Sequence, residues 1–107
     1  MTDIKEQYQE LTEQLMSCLP LKAFPIRDLV HLFKEKGVSM TLKSELTITS
    51  VMNSGDISGI MCVIEDEEQR LVCGLTHLIF ERSCPLFREI EEYQKKRAKR
   101  IRKLNQY

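Results

Sequence analysis

The chain has 107 residues, 16 Lys and Arg against 16 Asp and Glu, 42% hydrophobic residues, four cysteines and no tryptophan. That length suits one small domain, 1–107, and the apolar fraction with zero formal net charge excludes a disordered chain. Met1 to Glu6 lacks the apolar stretch of a secretory signal, and the longest apolar run, Ile60 to Ile64, falls far short of the roughly 20 residues that span a bilayer. A cytoplasmic protein is expected, with Cys18, Cys62, Cys73 and Cys84 as reduced thiols.

Ile4, Tyr8, Leu11 and Leu15 recur at helical spacing, with Asp3 as the cap and Pro20 as the stop. Leu21 to Phe24 reads as a short connector. Pro25 suits the first turn of a second helix, which Ile26, Leu29, Val30 and Phe33 anchor and Gly37 ends. His31 points away from that stripe and reads as a surface histidine.

From Met40 to Phe80 the period becomes two, with turn signals at Asn53 to Asp56 and an acidic loop at Glu65 to Arg70. A three-stranded antiparallel meander is expected, with Met52 opposite Ile57 and Ile64 opposite Leu71. In that register Leu42, Leu46, Ile48, Met52, Ile57, Met61, Val63, Val72, Leu78 and Phe80 form the core face. The other face is polar on the first strand, at Lys43, Glu45, Thr47 and Thr49. On the remaining strands it is apolar, at Ile60, Cys62, Ile64, Leu71, Cys73, Leu75 and Ile79. A half-apolar outer face needs a cover, either another helix or another subunit. Ile60, Cys62, Ile64, Leu71, Cys73 and Leu75 are therefore the candidate self-association surface of a homodimer.

Ser83-Cys84-Pro85 starts a long helix that runs to about Leu104. Leu86, Phe87, Ile90, Tyr93, Ala98, Ile101 and Leu104 share one sector, and Arg97 is the one basic residue among them. The predicted fold is α+β: two N-terminal helices, a three-stranded meander, and a long C-terminal helix whose basic end, 95–107, overhangs the sheet.

No catalytic, cofactor or metal site is expected. The cysteines and His77 lack paired short ligand spacing, and Cys73 and His77, four residues apart on a strand, are too far apart to share an ion. The register sets Cys62 opposite Cys73, both as buried thiols; Cys84 sits at a helix start, where the dipole favours thiolate, but a capping or packing role is expected of it rather than redox chemistry. Ser58 falls opposite His77 with Asp56 nearby, a weak hydrolase alternative, since that stretch reads more simply as a turn entering a strand. Gly59 and Gly74 read as positions that let a helix approach the sheet rather than as a phosphate loop.

The strongest local signal is basic. Lys95, Lys96, Lys99, Arg100, Arg102 and Lys103 crowd the solvent side of the last helix. Glu91 with Lys95 and Glu92 with Lys96 are ordinary helix pairs, but the later basic residues have no acid in the following turn, and their mutual repulsion calls for an anionic partner. Residues 1–94 carry nine basic and 16 acidic residues, a charge of −7, whereas residues 95–107 carry seven basic and no acidic ones, +7. The expected function is a small intracellular, non-catalytic interaction or regulatory module that self-associates and presents this helix to an acidic protein. A nucleic-acid accessory protein using the same residues on phosphates is the alternative, opposed by the scarcity of stacking aromatics beyond Tyr93 and Tyr107. An anionic membrane is disfavoured, because Ile101 and Leu104 make too small an apolar wedge.

Overall fold

The structure is a computed structural model and describes residues 4–65 and 69–104. Its elements are α1 (Ile4–Met16), β1 (Leu21–Pro25), α2 (Arg27–Glu35), β2 (Leu46–Asn53), a helical turn α3 (Gly55–Ser58), β3 (Ile60–Glu65), β4 (Arg70–Gly74), a 3-10 turn (Leu75–His77), β5 (Leu78–Ile79) and α4 (Phe87–Leu104). The strands form one antiparallel sheet in the order β4-β3-β2-β1-β5. The class is α+β and the long C-terminal helix is present, but the expected three-stranded meander understates a five-stranded sheet.

The supposed connector at Leu21 is β1, paired with β2 on one side and β5 on the other. Its alternation is real: Leu21, Ala23 and Pro25 are buried and Lys22 is exposed. Five residues followed at once by a helix offer too few repeats to expose that period, and the partners that define the strand lie far along the chain, at Ile48, Leu46 and Leu78. Pro25 accordingly ends a strand, and α2 begins at Arg27, burying Leu29 and Phe33 as expected.

The first hairpin is wider than predicted. Met52 pairs with Met61 and Asn53 with Ile60, in place of Met52 with Ile57, because α3 occupies the turn. Asn53 Oδ1 accepts from the Gly55 N–H at 3.1 Å, and the Ser54 N–H donates to the Gly59 carbonyl at 2.8 Å. The second hairpin follows the prediction, with Ile64 opposite Leu71 and Cys62 opposite Cys73. Asp3 and the acidic loop at 66–68 lie outside the described residues.

The predicted sheet faces are inverted over β3 and β4. The register shifts between Ile48, opposite Ile64, and Ser50, opposite Val63. This bulge inserts one residue, so Leu46 and Ile48 before it and Val51 after it share the buried side. A one-residue offset moves a whole strand's side chains to the other face. Ile60, Cys62, Ile64 and Cys73 therefore point into the core, while Met52 and Val72 are 43% and 50% exposed. Leu42 is exposed ahead of the strand; Val63 is buried but lies outside the core cluster, whereas Leu46, Ile48, Leu78 and Phe80 belong to it as predicted.

The cover over the apolar face is the chain's own helices. Tyr8, Leu11 and Leu15 of α1, Leu29 and Phe33 of α2, and Ile90 and Tyr93 of α4 join the inner sheet residues in one cluster. The last helix starts at Phe87 rather than at Ser83, after a turn in which Leu86 has φ 65°.

Candidate functional site

α4 is fixed to the sheet through the side of its helix that carries Ile90, Tyr93, Gln94 and Arg97. Ile90 and Tyr93 are buried, and the Ile60 N–H donates to Tyr93 Oη at 2.8 Å. Gln94 Nε2 donates to the carbonyls of Leu75 and Leu78, at 3.0 and 2.8 Å, tying the helix to the 3-10 turn and β5. Arg97, the basic residue predicted on the apolar side, is 3% exposed and donates from Nη1 to Tyr8 Oη at 3.5 Å. Tyr8 and Tyr93 meet edge to face with ring centroids 5.3 Å apart, which joins α1 to α4. Gly59 lies beneath this junction, and a Cβ there would meet Tyr93 Oη and, at 3.0 Å, Arg97 Nε. The close helix approach predicted for Gly59 is present; at Gly74 a Cβ would meet His77 Nδ1 at 3.3 Å, so that glycine accommodates the 3-10 turn instead.

The anchoring sets which residues of α4 face outward. Lys95, Lys96, Lys99, Arg102 and Lys103 are exposed and Arg100 is half-buried. Lys95 pairs with Glu91 at 3.3 Å and Lys96 with Glu92 at 2.9 Å. The hydrogen bond from Lys96, with its charge, holds the Glu92 carboxyl below its ordinary range. Lys99, Arg102 and Lys103 make no ion pair among the described residues.

A groove of about 570 Å³ runs between α1 and α4. Tyr8, Leu11 and Tyr93 form its floor, Glu10 and Gln14 stand on the α1 side, and α4 contributes Glu89, Glu92, Lys96, Lys99, Arg100 and Lys103. The spacing of the last four residues, three, one and three, puts them along one flank of the helix. Four of the six basic residues singled out from the sequence thus line one concavity, while Lys95 and Arg102 lie outside it. The opposite flank of α4 borders a second groove of about 470 Å³, lined chiefly by apolar residues such as Ile26, Phe87 and Ile101, with His77 at its wall. Nothing in the composition marks the first groove. Leu11 and Tyr93 are legible only as core residues, and it takes the packing of α1 beside α4 to bring them beneath the lysines.

The other predicted sites fare differently. Ile60, Cys62, Ile64, Cys73 and Leu75 are at most 4% exposed and Leu71 is half-buried, so the proposed self-association surface is interior. Ser58 is an exposed residue of α3 and His77 belongs to the 3-10 turn; strand pairing stops at Ile60 and Gly74 before it reaches either. No hydrogen bond links them, His77 Nδ1 is buried without a partner, and Ser58 does not line the groove that His77 borders. Among the described residues no three His, Cys, Asp or Glu side chains come together as metal ligands.

Burial pushes the Cys62 thiol well up, with the facing Cys73 adding to it, and burial raises Cys73 to about 12. Cys84 is also raised, by burial first and then by Cys18 and Glu81, which reverses the expectation of a helix-favoured thiolate. The reason is positional: α4 begins three residues after Cys84, so the thiol lies outside the first helical turn. None of these thiols is primed as a nucleophile. Among the described residues, no helix is long and apolar enough to cross a membrane. The chain matches no family model, no curated protein and no solved structure.

Proposed function

We propose that this chain is a non-catalytic binding module that engages an acidic protein surface through the basic end of α4. The observation that carries the reading is the placement of Lys96, Lys99, Arg100 and Lys103 along one wall of a groove with an apolar floor. Lys96 is answered by Glu92, but Lys99 and Lys103 make no ion pair among the described residues, and a partner that brings carboxylates and apolar side chains satisfies both wall and floor. A body of charge −7 behind the +7 terminal segment supports the same orientation, since an acidic partner is repelled by the rest of the molecule and steered to this end. Nucleic acid is the less favoured partner, because Tyr93, which stacking would require, is buried and engaged by the Ile60 amide.

The test is affinity capture with the full chain beside a Lys99→Glu/Arg102→Glu/Lys103→Glu variant, each with and without nuclease. These exposed positions change charge without touching Arg97, which truncation would remove from the core. The expected result is a protein retained by the native chain, lost from the variant and indifferent to nuclease. Loss on nuclease treatment, or equal retention by the variant, contradicts the proposal.

A further inference from the structure

Resting on that reading, the geometry points to a partner that is an amphipathic helix of about four turns, lying in the groove between α1 and α4 and running antiparallel to α4. The groove walls are two helices, whose backbone donors and acceptors are spent within each helix, so an extended peptide finds no strand edge to pair with there. An occupant must satisfy its own backbone, and a helix does so. Along α4 the lining runs from Glu89 to Lys103, about 21 Å at 1.5 Å per residue, which fixes the length of helix accommodated.

The floor sets one stripe of that helix. Tyr8, Leu11 and Tyr93 are at most 8% exposed, and because a lysine stem is apolar, Lys96 and Lys99 on the wall add methylene surface beside that floor. A row of Leu or Ile at helical spacing meets such a surface.

The wall charges set the direction. Glu89 and Glu92 occupy the early half of α4's flank, and Lys96, Lys99, Arg100 and Lys103 the later half, with Glu10 on α1. Uniformly acidic peptide is opposed at the first half and attracted at the second. A helix with Asp or Glu in its first two turns and Lys or Arg in its last two has the polarity its own dipole favours. Its acids meet Lys99 and Lys103 only if its N-terminus lies over the C-terminal end of α4. The self-complementary alternative, α4 of a second copy, carries the same charge polarity but turns charged residues, not an apolar stripe, toward the groove.

The test is a fluorescence-anisotropy titration of the full chain against a labelled 16-residue peptide, roughly the length the groove admits. The peptide has a Leu stripe, Glu in its first two turns, Lys in its last two, and a lactam between positions i and i+4 on the opposite face to hold it helical. Two control peptides keep its composition, one with the stripe scrambled and one with the Glu and Lys halves exchanged. Two variants alter the groove at exposed positions: Gln14→Trp, which fills it, and Lys99→Glu/Lys103→Glu, which inverts its basic wall; thermal melts check that both remain folded. The expected result is saturable binding of the first peptide, at least about tenfold weaker binding of each control, and loss in both variants. Equal binding of either control peptide, or binding that survives either folded variant, overturns the antiparallel helix-in-groove inference while leaving the acidic-partner reading standing. Absence of binding by the first peptide also overturns it. A chain that light scattering shows to be self-associated and that takes up the peptide only on dissociating does the same. The broader reading falls separately, on capture that nuclease abolishes.

Discussion

Gly59 has φ +70° and lies where a Cβ would strike Tyr93 Oη and crowd Arg97, whereas Gly55, at φ +88°, has open space around it. Alanine at Gly55 incurs only the left-handed backbone penalty, about 1–2 kcal/mol. Alanine at Gly59 adds displacement of the Tyr93 hydroxyl from the Ile60 amide, so urea denaturation is expected to show a loss about 1–3 kcal/mol greater than at Gly55. The thiols make a second prediction at this scale. The ordinary cysteine value is 9.0; Cys73 is raised to about 12, and Cys62 is raised further. An unfolded chain releases these protons first, so the native state binds more protons and stability falls as pH rises above 9 toward 12. Tyr93, raised chiefly by burial, acts in the same direction above pH 10. Denaturation midpoints measured across that range should decline, and a Cys62→Ala/Cys73→Ala variant should show a shallower decline from a lower starting stability.

At the scale of elements, α4 is held to the sheet from one side and carries exposed basic residues on another. Tyr93→Phe keeps the ring against Tyr8 but removes the acceptor from a buried amide, and is expected to cost about 1–3 kcal/mol in chemical denaturation. The same helix shows why parts of the molecule are legible in its sequence. The stripe of α4 repeats over several turns, and the burial of Ile90, Tyr93 and even Arg97 follows from counting residues, whereas Ala98 and Ile101 of the same predicted sector are exposed. Strands carry less redundancy. Five residues of β1 left too short a pattern to separate a strand from a connector, and one bulge after Ile48 inverted the faces of β3 and β4. The half-apolar face needs a cover, and the cover is intramolecular: α1, α2 and α4 supply it. The second hairpin was legible because its pairing, Ile64 with Leu71 and Cys62 with Cys73, depends only on local alternation around the loop.

Across the whole molecule, equal numbers of acids and bases conceal a separation, −7 over residues 1–94 and +7 over 95–107. The basic end is visible as a run of residue types, but the groove is not, because its far wall and most of its floor, Tyr8 and Leu11, come from α1, some 90 positions earlier in the chain. Charge separation of this kind makes encounter dependent on ionic strength, with a Debye length of about 10 Å at 0.1 M salt and about 3 Å at 1 M. The association rate with an acidic partner is therefore expected to fall by roughly an order of magnitude or more between those salt concentrations in stopped-flow measurements, while dissociation changes less. The measurement closest to the central claim is backbone amide NMR shift mapping of the full chain with the acidic-first amphipathic peptide. The predicted result is shifts at Leu11, Gln14, Lys96, Lys99 and Lys103, with Met52, Met61 and Val72 on the open sheet face unmoved. Shifts confined to that sheet face, or no shifts at saturating peptide, would contradict it.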